Sequence, residues 1–305
     1  MQRLLLRSLL VILSLVLSLT LAEIGVRYAY PDGGIPAAHL EATSLEQYTS
    51  VHEDAEAGYL PVLGRGEYDT HGFLRNDYDL QKRKGKRLVF AGDSVTHRRR
   101  LVNALRKVYG EDHYEYWNAG VESFNTRQEL VFYRRYNAVV KPDRVILEFH
   151  NNDFRATPLC VREDGKFKVY EPGMGINPWL FEHSYLYRWA WPRTDDRHKR
   201  AQLVYDSLVE FKALLAQQKV GFRIILLPMF KPLAQYDRSE LWSRQLSLEY
   251  FKELNLTFYD MLPVVENALQ EGMEVTEKPG DWFHPNDLIA ERMARELKRQ
   301  DLLSD

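Results

Sequence analysis

Ser94, Asp281 and His284 are residues of the types that carry out nucleophilic catalysis. A serine hydroxyl attacks a carbonyl when a histidine removes its proton, and a nearby carboxylate fixes the tautomer of that histidine. Asp281 comes three residues before His284, so that the two side chains can meet locally, and Ser94 ends the sequence Gly92-Asp93-Ser94. Taken alone, Gly-Asp-Ser is also a good turn and helix-capping sequence.

Asp281 and His284 could instead share a metal ion. No second histidine or carboxylate pair at ligand spacing accompanies them, and therefore we expect no metal site. The acyl chemistry of a serine, a histidine and a carboxylate requires no organic cofactor either. Cys160 is the single cysteine, which excludes an intramolecular disulfide and a cysteine-based metal cluster. As an alternative nucleophile, Cys160 has no obvious base beside it.

Two further polar segments could supply hydrogen-bond donors to a tetrahedral oxyanion. The first is the turn-forming sequence Asn118-Ala119-Gly120-Val121-Glu122-Ser123, which could present a backbone N–H, and the second is His150-Asn151-Asn152-Asp153, which carries amide side chains. Such an intermediate needs donors that are fixed in advance where negative charge develops. Each segment by itself could be only a polar turn.

These polar segments are placed by apolar runs that alternate with helical stretches. The predicted strands are 87–91, 114–117, 144–149, 222–227 and 257–259, and the predicted helices are 101–108, 126–140, 199–219, 239–254 and 286–299. This alternation predicts a mainly parallel sheet covered on both faces, a three-layer α/β/α sandwich. Ligands of such sheets bind at the carboxyl ends of the strands, where the first three polar segments lie.

Length, composition and charge exclude several classes of protein. The 305 residues are 45% hydrophobic, and 41 Lys and Arg against 43 Asp and Glu give a net charge of −2. This composition excludes a disordered charged tail and offers no electrostatic basis for binding nucleic acid.

The amino terminus has the pattern of an export signal or a membrane anchor. Arg3 and Arg7 precede an uncharged stretch from Leu9 to Ala22, and Glu23 ends it. The stretch is shorter than the roughly 20 residues that span a bilayer, but an extension on both sides would nearly reach that length. Cleavage after Ala22 and retention as an anchor both remain open, and both place the rest of the chain outside the cytoplasm. A buried core helix, the third interpretation, is disfavoured by the basic residues ahead of the stretch.

We predict three regions along the chain. Residues 1–29 form a signal peptide or membrane anchor, 30–86 a linker and irregular lead-in, and 87–305 a catalytic domain with an insertion at about 154–200. The insertion is rich in aromatic residues, which are Phe167, Tyr170, Trp179, Phe181, Tyr185, Tyr187, Trp189 and Trp191. These side chains could stack on sugar rings, form an acyl pocket, or simply pack the insertion. The run Arg98–Arg100 could attract an anionic polymer, although a solvated helix face is the simpler interpretation.

The chain thus has four polar segments, which are 92–94, 118–123, 150–153 and 281–284. In their order along the chain, they resemble those of the SGNH hydrolases, also called GDSL-like esterases, over about residues 87–300. The resemblance implies a flavodoxin-like sheet, with Ser94 as the nucleophile and Asp281 and His284 completing a triad. Two positions depart from the family pattern, because Ser123 replaces a glycine and His150 replaces another. The motif Gly-x-Ser-x-Gly is absent, which argues against the ordinary α/β-hydrolase fold.

The resemblance also implies further site residues. The oxyanion would be held by the N–H of Ser94, the N–H of Ser123 and the side chain of Asn152. The other motif positions are expected to line the substrate site; these are Gly120, His150, Asn151 and Asp153.

From these features we expect an extracytoplasmic serine esterase that hydrolyses a short acyl ester, such as an acetyl ester, on a carbohydrate or another cell-envelope substrate. An O-acyltransferase that modifies an exported polysaccharide is the alternative, because the same acyl-serine can pass to a sugar hydroxyl. A non-catalytic binding protein of the same fold is the third hypothesis, and the intact triad counts against it. We expect contact with the membrane through the amino-terminal helix and none with nucleic acid; protein partners stay open.

Overall fold

The chain divides into two compact units in a computed structural model that describes residues 2–30, 48–50, 57–163, 166–170, 176–190 and 196–303. The first unit comprises Met1–Tyr59 and Pro158–Asp196, and the second comprises Leu60–Thr157 and Arg197–Asp305. Trp191 and much of the predicted lead-in lie outside the described residues.

Helices and strands alternate through most of the described chain. The strands are β1 (Tyr48–Ser50), β2 (Tyr59–Pro61), β3 (Lys86–Gly92), β4 (Tyr114–Asn118), β5 (Arg144–Phe149), β6 (Leu159–Glu163), β7 (Lys166–Tyr170), β8 (Gly221–Leu226) and β9 (Phe258–Asp260). The α-helices are α1 (Gln2–Ala29), α2 (Ser94–His97), α3 (Arg100–Tyr109), α4 (Thr126–Arg135), α5 (Pro178–His183), α6 (Tyr185–Ala190), α7 (Arg197–Gln218), α8 (Arg238–Glu253), α9 (Leu262–Gln270) and α10 (Asp287–Arg299). Short 3-10 turns cover Asn137–Val140, Asn151–Phe154 and Leu233–Gln235.

The second unit is built on a five-stranded sheet with the order β4-β3-β5-β8-β9, in which every neighbouring pair is parallel. Counted along the chain, this is the order 2-1-3-4-5 of flavodoxin-like folds. Phe90 in the central strand is in register with Asn118 on one side and Ile146 on the other. The prediction of a mainly parallel, flavodoxin-like α/β sheet is therefore confirmed.

Helices cover both faces of this sheet because its strands are apolar on both sides. Leu88 and Phe90 join one buried cluster with side chains of α3, α9 and α10. On the opposite face, α4 and α7 pack together, and the rings of Tyr133 and Phe211 lie 5.5 Å apart. The three-layer arrangement expected from the alternating pattern is confirmed.

One predicted helix is shorter than expected. The pattern predicts a single helix over 126–140, but α4 ends at Arg135 and a 3-10 turn follows. Lys141 then adopts a left-handed conformation with φ of 49°. Pro142 comes next, and proline disfavours helical geometry in the residue before it, which explains why the helix cannot continue.

Part of the segment ahead of β3 packs with the sheet. The second unit begins at Leu60, whereas the sequence analysis starts the catalytic domain at residue 87. Tyr68, Phe73 and Leu74 are buried, and the N–H of Leu74 donates to the carbonyl of Asn118 at 2.8 Å. Scattered aromatic residues in a stretch without periodicity gave no signal of this packing.

The first unit contains α1, the hairpin of β6 and β7, and the helices α5 and α6. Within α1, the stretch Leu5–Ala29 is long and apolar enough to cross a membrane. A small core brings together Leu159, Tyr170 and Phe181. At least these two aromatic residues of the predicted insertion therefore serve to pack it.

Candidate active site

Ser94 is presented by a sharp turn between β3 and α2. The Oδ1 atom of Asp93 accepts a hydrogen bond from the N–H of Val95 at 2.8 Å and caps the helix. Gly92 lies so close to Thr96 that a side chain at residue 92 would collide with it. The turn therefore places Ser94 at the first position of α2, where the free N–H groups of the helix favour negative charge.

A continuous chain of hydrogen bonds joins Ser94 to His284 and Asp281. The Oγ atom of Ser94 lies 2.9 Å from Nε2 of His284. Nδ1 of the same ring lies 2.9 Å from Oδ2 and 3.0 Å from Oδ1 of Asp281. A proton on Nδ1 that is donated to Asp281 leaves Nε2 free to accept the serine proton. The three residues thus have the geometry needed for a hydroxyl to be deprotonated.

The loop that contains Asp281 and His284 folds around the carboxylate. Oδ1 of Asp281 accepts hydrogen bonds from the backbone N–H groups of Phe283 at 3.0 Å and His284 at 3.2 Å. Burial alone would raise the pKa of Asp281, but the hydrogen bonds from His284 and Phe283 outweigh it and hold that pKa below its ordinary value. The carboxylate therefore stays charged and can support a protonated imidazole.

Ion pairs connect this loop to the segment that follows Ser94. The carboxylate of Glu277 pairs with the guanidinium groups of both Arg98 and Arg100. The N–H of Glu277 also donates to the carbonyl of His284 at 3.1 Å. Two arginines of the predicted basic run therefore act as an internal clamp between the two halves of the site, a role that the sequence analysis did not anticipate.

Two backbone N–H groups in the loops after β3 and β4 have no acceptor. Within the described residues, neither the N–H of Ser94 nor that of Ser123 donates a hydrogen bond. The loop that contains Ser123 is joined to the segment of Ser94, because the N–H of Val121 donates to the carbonyl of Gly92 at 3.1 Å. Ser123 has φ of 60°, a left-handed conformation that is rare for a residue with a side chain. A glycine would adopt this conformation without steric cost.

Gly120 is a packing position. It is buried, and a side chain there would overlap the backbone of His97 and Thr96. Its carbonyl accepts a hydrogen bond from the hydroxyl of Tyr68 at 3.0 Å. Gly120 therefore allows the loop after β4 to approach α2 closely.

Asn152 is held by Asp93, a contact that sequence reasoning missed. Nδ2 of Asn152 donates to Oδ2 of Asp93, and the amide is almost fully buried. An amide nitrogen has two hydrogens, so that one N–H of Asn152 remains for another acceptor. Asp93 thus serves both the helix of Ser94 and the amide; its place directly before Ser94 was the only signal of this role.

The other residues of the third polar segment differ in their exposure. His150 is completely buried, with its ring centroid 5.6 Å from that of Phe283, and burial lowers its pKa. Asp153 is also buried and accepts hydrogen bonds from the hydroxyl of Thr126 at 2.6 Å and the N–H of His150 at 2.7 Å. These two buried residues support the loop that follows β5, whereas Asn151 lines an open cleft.

Buried carboxyl groups lie beneath the site. Glu148 at the end of β5 accepts a hydrogen bond from the hydroxyl of Thr96 at 3.0 Å, and burial raises its pKa to about 8. Burial also raises the pKa of Asp153 to about 8 and that of Glu129 well above its ordinary value. A glutamate inside the apolar run of β5 was the sequence signal of this cluster.

A cleft of about 250 Å³ adjoins the site. It is lined by Asn151, Asn152, Phe154, Arg155, Arg200, Asp237, Ser239, Glu240, Trp242, Ser243 and Phe283. Asn152 bonds to Asp93, which directly precedes Ser94, and Phe283 directly precedes His284, so that the cleft lies next to the segments that carry Ser94 and His284. In the described part of the chain, His, Cys, Asp and Glu side chains form no group of three suited to a metal ion.

Comparison with known proteins shows that this chain is similar to solved structures in its fold. No protein-family profile and no curated protein matches the chain. The solved structure of LAE5, described as an alpha/beta hydrolase enzyme from the metagenome of Lake Arreo in Spain, is 17% identical, with a TM-score of 0.50 over 74% of this chain and 100% of that chain. Axe2, an acetylxylan esterase from Geobacillus stearothermophilus, is 16% identical, with a TM-score of 0.49 over 72% of this chain and 96% of that chain. The chain shares the fold of LAE5.

Proposed function

We propose that this chain is a serine esterase of the SGNH type. The observation that carries the proposal is the unbroken chain of hydrogen bonds from Ser94 through His284 to Asp281. Its position at the carboxyl end of a parallel sheet, where ligands of such folds bind, supports the same conclusion.

In the proposed mechanism, His284 removes the proton of Ser94 as the hydroxyl oxygen attacks the ester carbonyl. The oxyanion accepts hydrogen bonds from the N–H groups of Ser94 and Ser123 and from the free N–H of Asn152. His284 then returns the proton to the alkoxide that leaves, and an acyl-serine remains. Water, deprotonated by the same imidazole, releases the acid and restores the serine.

The proposed substrate is a short acyl ester on a carbohydrate or another component of the cell envelope. The cleft beside Asn152 combines the aromatic side chains of Phe154 and Trp242 with polar and charged groups, a combination that suits a sugar ring. An apolar amino-terminal helix that carries Arg3 and Arg7 in its first turns supports a location outside the cytoplasm, where such esters occur.

The test compares hydrolysis of p-nitrophenyl acetate, butyrate and octanoate by the wild type and by Ser94→Ala. We expect kcat/KM to fall by about a thousandfold or more in Ser94→Ala, because the nucleophile is lost. Ser207→Ala is the matched control, since this serine of α7 does not line the cleft and its buried hydroxyl donates to the carbonyl of Leu203. An active Ser94→Ala protein would overturn the proposal.

Mass spectrometry of the same reactions separates hydrolysis from acyl transfer. An esterase turns over repeatedly and accumulates little acyl-enzyme when water attacks quickly. A transferase would instead gain one acyl group on Ser94 and release it only when a sugar acceptor is added. A wild-type protein that neither turns over nor becomes acylated would favour a binding function.

A further inference from the structure

The amino-terminal helix and the insertion are joined within the first unit by a specific polar contact. Glu23 is the only acidic residue of α1. Its carboxylate accepts hydrogen bonds from the hydroxyl of Ser184 at 2.8 Å and from the backbone N–H groups of Tyr185 at 2.8 Å and Leu186 at 2.9 Å. A single carboxylate thus satisfies three donors of the segment formed by α5 and α6.

Arg27 strengthens the same junction from the next turn of α1. Its guanidinium pairs with Glu23 at 2.7 Å and donates to the carbonyl of His183 at 3.0 Å. It also lies over the ring of Tyr185, 4.5 Å from the centroid. Residues four apart share one face of a helix, so that this junction requires α1 to be helical through both charged positions.

The helical geometry at Glu23 depends on the residues that precede it. In the unbroken helix, the N–H groups of residues 23–26 bond to the carbonyls of residues 19–22. Cleavage after Ala22 would remove those four acceptors and leave a helical remnant of about two turns, well below the length at which an isolated helix is stable. The junction therefore argues for an intact α1.

The junction lies where α1 would leave a membrane. From Leu5 to Ala22 the helix rises about 27 Å, close to the thickness of a hydrocarbon core. The large apolar side chains along this stretch are exposed, as expected for a surface that lipid covers. Arg3 and Arg7 mark the opposite, cytoplasmic end. Glu23 then falls at the outer interface, where charged groups meet water and lipid headgroups.

The segments that meet at this junction carry aromatic side chains. Tyr28 is 92% exposed and Trp179 is 64% exposed. Tyr30 follows α1, and its ring lies 6.2 Å from that of Trp189 in α6. Tryptophan and tyrosine are enriched at membrane interfaces because their amphipathic rings suit the headgroup region.

We propose that α1 is retained in the mature protein and that the α5–α6 segment is a membrane-surface element fastened to its outer end. Glu23 and Arg27 form the fastening, and Trp179 contacts the headgroup region of the phospholipid bilayer. This inference is independent of the proposed esterase activity, and its tests measure no turnover.

The first test is the intact mass of the full-length chain, produced with its own amino terminus and a carboxyl-terminal tag. We expect the protein in the membrane fraction with residues 2–22 present in its mass. A protein that begins at Glu23 and appears in the soluble fraction would overturn retention of the anchor.

The second test is amide hydrogen exchange of the full-length protein, compared with Glu23→Ala. We expect the N–H groups of Tyr185 and Leu186 to exchange about tenfold faster or more in the variant, because their acceptor is lost. Thr20→Val is the matched control in the same helix, since its hydroxyl donates to the carbonyl of Val16 within α1. Exchange that is unchanged in Glu23→Ala would overturn the fastening.

The third test places the full-length protein in phospholipid nanodiscs, with or without bromine atoms near the headgroups. The emission that Trp179→Phe removes should be quenched by about half or more in the brominated discs. Trp117→Phe is the control, because Trp117 is buried in the second unit. The emission that this substitution removes should be the same in discs with and without bromine. Unquenched emission from Trp179 would overturn the contact with lipid.

Discussion

The two sides of the candidate active site are held in place by different kinds of structure. Ser94, Ser123 and Asn152 follow three adjacent strands, β3, β4 and β5, and their loops are joined by buried hydrogen bonds. Asp281 and His284 lie instead on an irregular loop ahead of α10. That loop is positioned by its own carboxylate and by partly exposed ion pairs.

This difference predicts different sensitivities. A parallel sheet resists small changes at its surface, because its strands are fixed by the ladder and by the core on both faces. Ion pairs that water can reach are weakened by salt and by loss of either partner. We call the loops of Ser94, Ser123 and Asn152 the nucleophile side and the loop of Asp281 and His284 the base side, after the roles proposed for Ser94 and His284. Changes on the nucleophile side should alter stability and its dependence on pH, because buried groups are disturbed, whereas changes on the base side should alter activity first.

The largest effect is expected on the base side, for Asp281→Asn. An asparagine can donate to Nδ1 of His284 and thereby favour the tautomer that carries its proton on Nε2, which cannot accept the serine proton. We expect kcat to fall by about 10⁴-fold with little change in the melting temperature. Steady-state kinetics on p-nitrophenyl acetate measure the effect.

Asp206→Asn is the matched control for this substitution. Asp206 is exposed on α7, outside the cleft, and accepts a hydrogen bond from the side chain of Gln202, which an asparagine can also accept. Its activity should stay within about twofold of the wild type. If Asp281→Asn were equally active, the carboxylate would not orient His284 and the proposed triad would be reduced to a pair.

The next effect concerns the buried carboxyl groups of the nucleophile side. Glu148 has a pKa of about 8 because it is buried, so that the folded protein holds a proton that the unfolded chain releases near pH 4.5. The resulting stability is complete below that lower pH and is lost as the pH rises through about 8. The slope for one such group is on the order of 1 kcal/mol per pH unit. Burial also raises the pKa values of Asp153 and Glu129, and repulsion from the nearby carboxylate of Asp93 raises both pKa values further.

Glu148→Gln removes one of these titrating carboxyl groups. Stability should therefore fall less steeply as the pH rises. We expect the free energy of unfolding of this variant, measured by urea at pH 5 to 9, to fall less steeply than that of the wild type. Glu249→Gln, at an exposed position of α8, should leave the slope unchanged. Equal slopes for the wild type and Glu148→Gln would show that Glu148 is ionised in the folded protein.

The same contrast explains how much could be predicted from the sequence. The strands around Ser94 were predictable because apolar runs such as Val145–Phe149 and the helices between them have regular periods. Ser94, Asp281 and His284 were identified from their types and order, and the structure brings them together. The clamp of Glu277 on Arg98 and Arg100 was not predictable, because charged residues far apart in the sequence carry no signal of pairing.

The first unit was less predictable for a related reason. Its contacts depend on single polar residues, such as Glu23, and on six-residue helices, which are too short to show a repeating apolar pattern. The buried contact between Asp93 and Asn152 is of the same type, because it joins two loops rather than two regular elements. Periodicity thus identifies the frame of the molecule, whereas individual hydrogen bonds between loops become visible only in the folded structure.

A smaller effect is expected when the clamp of the base side is released. Glu277→Gln removes the charge that both arginines share, so that the loop of His284 loses part of its support. We expect kcat/KM to fall by about tenfold, since a small displacement of His284 weakens its hydrogen bond with Ser94. Added sodium chloride should lower the activity of the wild type more than that of the variant.

A second glutamate–arginine pair provides the control for this experiment. Glu271 pairs with Arg292 on the surface, away from the site loops. Glu271→Gln should leave kcat/KM within about twofold of the wild type at every salt concentration. Full activity of Glu277→Gln would mean that the loop is positioned by its backbone hydrogen bonds alone.

The smallest effect is expected at Ser123, on the nucleophile side. Its left-handed backbone costs a residue with a side chain about 1 kcal/mol, a cost that glycine avoids. Ser123→Gly should therefore be as stable as the wild type or more stable by up to about 1 kcal/mol, because the freedom that glycine gains in the unfolded chain offsets part of the relief. Its kcat/KM should stay within about twofold, since the backbone N–H that we assign to the oxyanion is kept.

Lys219→Gly is the matched control, because Lys219 has φ of 59° in the turn after α7. Both variants should behave alike in urea unfolding, and only the Ser123 position should respond in activity to a bulkier residue. Ser123→Val, whose branched side chain tolerates this conformation poorly, should lose stability and activity together. A loss of more than about tenfold in Ser123→Gly would instead mean that the serine hydroxyl itself contacts the substrate, and the oxyanion donor would have to be sought elsewhere in the loop after β4.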